Sequence, residues 1–206
     1  MSRKFSDIID ALVSQGWAVR QDFLPTEAID ALAEEARRLW LAGRFSRAGV
    51  GRGSERRISA DVRGDHILWL DESATTPAQS RYWSEIEALR SELNRGLFLG
   101  LISVEAHYAF YPPGAFYRKH VDRFSDSDER AISHSLYLNS DWKEEVGGQL
   151  RLYAGDHRIE IFPRAGTFVT FRSDNIPHEV APGKRDRFSL TGWFRRRSVI
   201  DAVPRA

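Results

Sequence analysis

The chain contains no cysteine and a single methionine. Without thiols there can be no disulfides, thiolate metal sites or cysteine nucleophiles, so any metal chemistry must rely on histidine and carboxylate. Long hydrophobic runs are also missing: no segment approaches the roughly eighteen consecutive apolar residues of a membrane span. The N-terminal stretch MSRKFSDIIDALVSQG carries Phe5, Ile8, Ile9, Leu12 and Val13 at helical spacing with charges between them. That pattern predicts a helix rather than a secretory leader, whose apolar core is unbroken. The expected compartment is therefore cytoplasmic, with no membrane partner. A dominant sign of charge is absent too. With 30 basic against 29 acidic residues the net charge is +1, which gives no bulk attraction to nucleic acid.

What is present is ordinary globular composition. Hydrophobic residues at 42% and charged residues at 29% exclude both disorder and a fibrous architecture. The 206 residues are read as one domain with one substantial core. Within it, residues 1–100 are expected to form a helical support with a mobile loop over 44–62, and residues 101–197 the catalytic core.

The N-terminal half alternates helices with short strands. GWAVRQDF alternates like a strand, and Pro25-Thr26 opens a helix that Gly43 is placed to cap. Residues 44–62 carry three glycines and five arginines (Arg44, Arg47, Arg52, Arg56 and Arg57) without a period, the pattern of a long basic loop. It is either a solvated connection or a cover for a substrate. HILWL reads as a strand, and Tyr82, Ile86, Leu89, Leu93 and Leu97 mark a core-facing helix over 77–98. From Leu101 onward short β-type runs are separated by turns such as PPGA, AGD, PRAG and PGKRD. The predicted fold is mainly β with N-terminal helices, with a jelly-roll core of about eight strands.

The chemistry-bearing pattern is His120 and Asp122 in YRKHVDRF. On a strand, residues two apart share a face, so an imidazole and a carboxylate can converge on one ion. Two histidines and a carboxylate on one side of a metal leave open positions, the arrangement associated with non-haem Fe(II) oxygenases. His178, in SDNIPHEVAPG, is the candidate third ligand, brought across the barrel mouth by the fold. The other histidines, His66, His107, His134 and His157, have no carboxylate two positions on and read as surface or satisfied core residues. By itself an H-x-D pair is a common accident. Nine residues after His178 stands Arg187, on a strand face shared with Ser189, Thr191 and Trp193. A guanidinium turned into a small barrel needs an anion, and a dicarboxylic co-substrate would satisfy its planar fork; a structural salt bridge is the alternative.

Several ordered segments then resemble the 2-oxoglutarate oxygenases, in particular the prolyl 4-hydroxylases related to the hypoxia-inducible-factor hydroxylases and their bacterial counterparts. They are VRGDHILWL (62–70), YPPGAFYRKHVD (111–122), SLYLNSDW (135–142), GGQLRLY (147–153) and PHEVAPGKRDRFSLTGWF (177–194). The resemblance implies a double-stranded β-helix with His120, Asp122 and His178 as the Fe(II) ligands. It implies that Arg187 and Tyr137 hold the distal carboxylate of 2-oxoglutarate, that Tyr111 lies near its chelating end, and that Thr191 lines the same pocket. Trp142 and Trp193 are read mainly as packing, with Trp193 at the border of the substrate. The implied reaction is hydroxylation at carbon 4 of a prolyl residue, coupled to conversion of 2-oxoglutarate and O2 to succinate and CO2, with ascorbate as a supporting reductant. The implied partner is a protein carrying the target proline, such as a translation or transcription factor. Two other readings stand beside it: an oxygenase acting on a small molecule, another residue or an alkylated base, and a non-catalytic barrel that senses metal or peptide. Nucleic acid is disfavoured because the basic loop offers only Phe45 for stacking.

Overall fold

The computed structural model describes residues 4–49, 57–123 and 129–197. Among these residues three α-helices, α1 (Ser6–Gln15), α2 (Thr26–Leu41) and α3 (Pro77–Leu97), accompany eleven strands. Three short strands belong to the N-terminal half: β1 (Trp17–Arg20), β2 (Ser46–Arg47) and β3 (His66–Trp69). Eight follow: β4 (Leu101–Tyr111), β5 (Tyr117–His120), β6 (Arg130–Tyr137), β7 (Leu150–Ala154), β8 (His157–Ile161), β9 (Phe168–Arg172), β10 (His178–Val180) and β11 (Arg187–Arg196).

These strands form two antiparallel sheets. The larger has the order β1-β9-β6-β11-β4-β3-β2 and the smaller β5-β10-β7-β8. The chain from β4 to β11 passes repeatedly from one sheet to the other, which winds the eight core strands into a double-stranded β-helix. The predicted jelly roll is therefore present, and β1, β2 and β3 extend its larger sheet.

Two apolar layers hold it together. One lies between the helices and the outer face of the large sheet, and includes Leu12, Leu32, Ile86, Leu89, Tyr108, Leu136 and Phe194. The helical period of α3 explains its share, since Tyr82, Ile86, Leu89 and Leu93 all fall on one stripe and are fully buried. Burying each aliphatic member stabilises the fold by roughly 1.5–3 kcal/mol. The other layer lies between the sheets and includes Leu150, Leu152, Val169, Phe171 and Val180. Strand alternation divides the two: His134 faces the helices, where its Nε2 meets the Tyr82 hydroxyl at 2.8 Å, while its neighbours Ser133 and Ser135 face inward. Gly192 permits this, because a Cβ there would lie 2.9 Å from the His134 ring.

Some local expectations are corrected. Val13 is 69% exposed and not part of the buried stripe of α1. Helix α2 ends at Leu41 with Ala42 as its cap, and Gly43 takes the left-handed φ of 68° just beyond the cap. Part of the expected loop over 44–62 is ordered: β2 pairs with β3, and Ala48 is buried with its N–H bonded to the Asp65 carbonyl. Periodicity cannot show a strand of two residues. Residues 50–56, with Arg52 and Arg56, lie outside the described residues.

Candidate metal centre and its cavity

The inner face of the large sheet is the floor of a cavity of about 580 Å³. Its floor is ordered by strand register. Trp69, His107, Thr191 and Ser135 are successive partners across β3, β4, β11 and β6. One step towards the opening, Glu105, Trp193 and Ser133 form a second row, and towards the closed end come Ala109, Ser189 and Tyr137. Tyr111 and Arg187 are partners in the row beyond. The face predicted for Arg187, Ser189, Thr191 and Trp193 is thus the cavity floor.

His120, Asp122 and His178 come together on the opposite wall, with ligand atoms all within 4.8 Å of one another. The mechanism differs in two respects from the sequence expectation. Strand β5 stops at His120, so Asp122 reaches the cluster from a bend and not from strand alternation. His178 is not across the mouth from His120. The two are direct Cα partners in the small sheet, because the crossovers between sheets place β10 beside β5.

Each histidine is oriented in the same way. Nδ1 of His120 lies 2.7 Å from the Arg118 carbonyl, and Nδ1 of His178 lies 3.1 Å from the Ile176 carbonyl. A carbonyl only accepts, so Nδ1 carries the proton and Nε2 presents its lone pair inward. The Nε2 atoms stand 3.6 and 3.5 Å from the two Asp122 oxygens. Burial works to raise the Asp122 pKa, but His178, His120 and Arg130 outweigh it and hold the carboxyl well below its ordinary range. Burial pushes His178 down to about 4, helped by His120 and opposed by Asp122. Asp122 is thus held as a carboxylate and His178 as a neutral imidazole at neutral pH, the forms in which they can bind a cation. Ser133 donates to Asp122 Oδ2 at 2.6 Å and also contacts Ser173 at 2.8 Å, which fixes the carboxylate from behind. The two-histidine, one-carboxylate donor set fits Fe(II) with open positions.

At the closed end Arg187 is 3% exposed. Its Nε donates to the Gly148 carbonyl at 2.9 Å, and among the described residues no carboxylate lies within ion-pair range of it. The structural salt bridge is therefore excluded among those residues. The guanidinium lies 4.8 Å from the Tyr111 ring centre and 5.0 Å from that of Tyr137. The Tyr137 hydroxyl is buried with no partner in hydrogen-bond geometry, and burial raises its pKa to about 12 although Arg187 opposes the rise. A buried cation beside an unsatisfied hydroxyl is a receptor for an anion, and the carboxylate of a 2-oxo acid fits it. Thr191, midway along the floor, bonds to Ser135 at 2.9 Å and to Ser189 at 3.3 Å.

Of the seven residues singled out from sequence, six line this cavity, and Tyr137 stands against Arg187 at its end. Trp193 lines it too, whereas Trp142 is not among the lining residues, its Nε1 donating to the Gly147 carbonyl at 3.0 Å. Gly148 must be small, since a Cβ there would sit 2.9 Å from the Trp142 indole at a φ of 72°. Sequence reasoning missed Ser133, the Gly148 carbonyl and His107. Only the register of β4 against β11 shows that His107 faces inward. His157 is exposed, as expected, while the rings of His66 and His134 are set against aromatic rings on the helix side of the large sheet.

Known proteins agree with this geometry. Residues 106–195 match the model of the 2OG-Fe(II) oxygenase superfamily. The hypoxia-inducible factor prolyl hydroxylase of Caenorhabditis elegans is 34% identical over 94% of this chain, which spans only 28% of that relative's length. A prolyl hydroxylase structure from Trichoplax adhaerens, in complex with a hypoxia inducible factor oxygen degradation domain peptide fragment, superposes with a TM-score of 0.84 at 26% identity. That match covers 92% of this chain and 87% of the other. The crystal structure of a Pseudomonas putida prolyl-4-hydroxylase superposes with a TM-score of 0.83 at 44% identity, covering 92% of this chain and 97% of that one. With such identity to a protein matched over nearly its whole length, the chain belongs to the 2OG-Fe(II) oxygenase superfamily and, within it, to the family of prolyl hydroxylases.

Proposed function

We propose that this chain hydroxylates carbon 4 of a prolyl residue in a protein substrate, using Fe(II), 2-oxoglutarate and O2. The observation that carries the reading is the pairing of two receptors in one cavity. The cluster of His120, Asp122 and His178 forms one, and the buried, acid-free Arg187 forms the other. In this reading His120 Nε2, His178 Nε2 and an Asp122 oxygen hold the metal. Arg187 and Tyr137 take the distal carboxylate of the co-substrate, while Tyr111 and Thr191 line its path. When bound, iron would activate O2, the oxidant, with two electrons drawn from 2-oxoglutarate, so that one oxygen atom enters a substrate C–H bond and the other enters succinate as CO2 is released.

The chain's own part is placement. The closed end anchors the co-substrate by its far carboxylate, which aims its 2-oxo acid end at the metal ligands. Ser133 keeps Asp122 in place, and the backbone carbonyls of Arg118 and Ile176, by accepting from Nδ1, orient both rings with Nε2 towards the metal position. Asp122 occupies a metal position with protein, which supports hydroxylation over transfer of a halide. Trp69 and Trp193 flank the open side and offer aromatic faces to a saturated ring.

The protein partner in this reading is one that displays a proline in an accessible segment, such as a translation or transcription factor. The test is mass spectrometry of a cytosolic extract incubated with the Fe(II)-loaded protein and 2-oxoglutarate. A one-oxygen increase on proline, absent when 2-oxoglutarate is omitted, is expected. Succinate formed together with oxidation of a residue other than proline, or of a small molecule, would replace the proline reading. Metal binding with no succinate on any extract would replace the enzyme reading with that of a sensor.

A further inference from the structure

His107 lies on the cavity floor with only 4% exposure, and its Nδ1 is buried with no hydrogen-bond partner. A buried polar atom without a partner destabilises the fold, so it requires a reason. His66 and His134 share the unpartnered Nδ1, but each has another setting. His134 bonds Tyr82 through Nε2 and packs against Phe168 and Phe194, and His66 packs against Trp40 and Phe110. His107 alone among the three turns its ring into the cavity, between Trp69 at 4.9 Å and Trp193 at 5.4 Å from ring centre to ring centre.

The chemistry of that position is narrow. Burial, reinforced by Arg63 and Arg130, pushes the imidazole pKa down to about 3, so the ring is neutral and does not serve as an anion receptor. Its two flanking indoles offer apolar faces. What suits such a niche is an uncharged group with a saturated ring and a hydrogen-bond acceptor. A prolyl residue is that group: the pyrrolidine packs on aromatic faces, and since proline has no N–H, the carbonyls on either side of it can only accept. A donor is then what the protein must provide.

We propose that His107 orients the substrate, its Nδ1–H donating to a backbone carbonyl adjoining the target proline while Trp69 and Trp193 hold the ring. This rests on the prolyl reading above. It assigns to His107 a part in peptide selection that is separate from metal and 2-oxoglutarate binding, because the ring lies two rows from Arg187 and bonds none of the three metal-ligand candidates.

The test uses Zn(II)-substituted protein loaded with 2-oxoglutarate, which is diamagnetic and does not turn over. The probe is the peptide around the proline that gains oxygen in the extract experiment, with a counterpart in which that proline is alanine. Nitrogen-15 NMR of the imidazoles is followed during titration. The His107 Nδ1 signal is expected to shift with the proline peptide and not with the alanine peptide. His107→Leu is expected to weaken peptide binding about tenfold, the effect of one lost hydrogen bond. His107→Asn, whose amide N–H falls near the Nδ1 position, should recover most of that loss. A His107 signal unmoved at peptide saturation, or equal affinity for the Leu variant, overturns the assignment while leaving prolyl hydroxylation intact. An extract in which 2-oxoglutarate is turned over but no proline gains oxygen overturns both.

Discussion

His120 and His178, 58 positions apart in sequence, are direct partners in the ladder between β5 and β10. Their rings lie 4.2 Å apart between centres, each fixed by a carbonyl two residues before it. The two imidazoles are thus set by backbone pairing, and Asp122, from its bend, supplies the carboxylate among the three. Asp122→Ala should therefore remove metal binding while leaving the ladder intact. Loss of a ligand should exceed the 10–100-fold typical of supporting residues, so Fe(II) affinity should fall by roughly 100-fold or more. Equilibrium dialysis with metal analysis measures it, and circular dichroism checks the fold.

Ser133→Ala tests the support of the carboxylate. The hydroxyl donates to Asp122 at 2.6 Å and its loss also leaves Ser173 without that contact. Fe(II) affinity should drop about tenfold, with about 1 kcal/mol of stability lost, measurable by dialysis and by urea unfolding. Unchanged affinity would make the serine a packing residue.

Arg187→Ala should weaken 2-oxoglutarate binding by about a hundredfold, corresponding to roughly 3 kcal/mol for a buried charge-assisted pair. Arg187→Lys should recover little, because an ammonium cannot bond Gly148 through Nε and also present a planar fork. Calorimetric titration of 2-oxoglutarate into metal-loaded protein decides it. Full recovery by lysine would show that charge alone matters.

Acid should destabilise the metal-free protein. His107 and His134 are both lowered from 6.5 to about 3, chiefly by burial. On unfolding they regain the ordinary value and take up protons that the folded state does not hold, so stability declines as pH falls from about 6.5 towards 3. Between pH 6.5 and 5.5 the pair should lower the melting temperature by roughly 4–8 °C. Scanning calorimetry of apo-protein over that interval gives the answer, and a constant melting temperature would contradict it.

Much of this was legible in the sequence because it depends on local period and on residue type. The stripe of Tyr82, Ile86, Leu89 and Leu93 identifies α3, and turn residues between β-type runs mark the eight core strands. His120, Asp122, His178 and Arg187 are residue types whose burial demands a reason, and the ordered motifs around them supplied one. What stayed hidden depends on register between distant strands. That His120 and His178 are neighbours and not opposites is a property of β5 against β10. Likewise, His107 and His134 look alike in sequence, and only pairing with β11 shows that one faces the cavity and the other the helices. The Gly148 carbonyl that holds Arg187 has no signature in a side chain at all.

The most direct test of the site is visible absorption of Fe(II)-loaded protein titrated with 2-oxoglutarate under anaerobic conditions, where chelation of the metal by the 2-oxo acid gives a charge-transfer band. Wild-type protein is expected to develop the band saturably. Asp122→Ala should not develop it, and Arg187→Ala should require about a hundredfold more 2-oxoglutarate. A wild-type protein that binds Fe(II) yet shows no band at saturating 2-oxoglutarate, or an Asp122→Ala variant that shows it undiminished, would contradict the placement of iron at His120, Asp122 and His178.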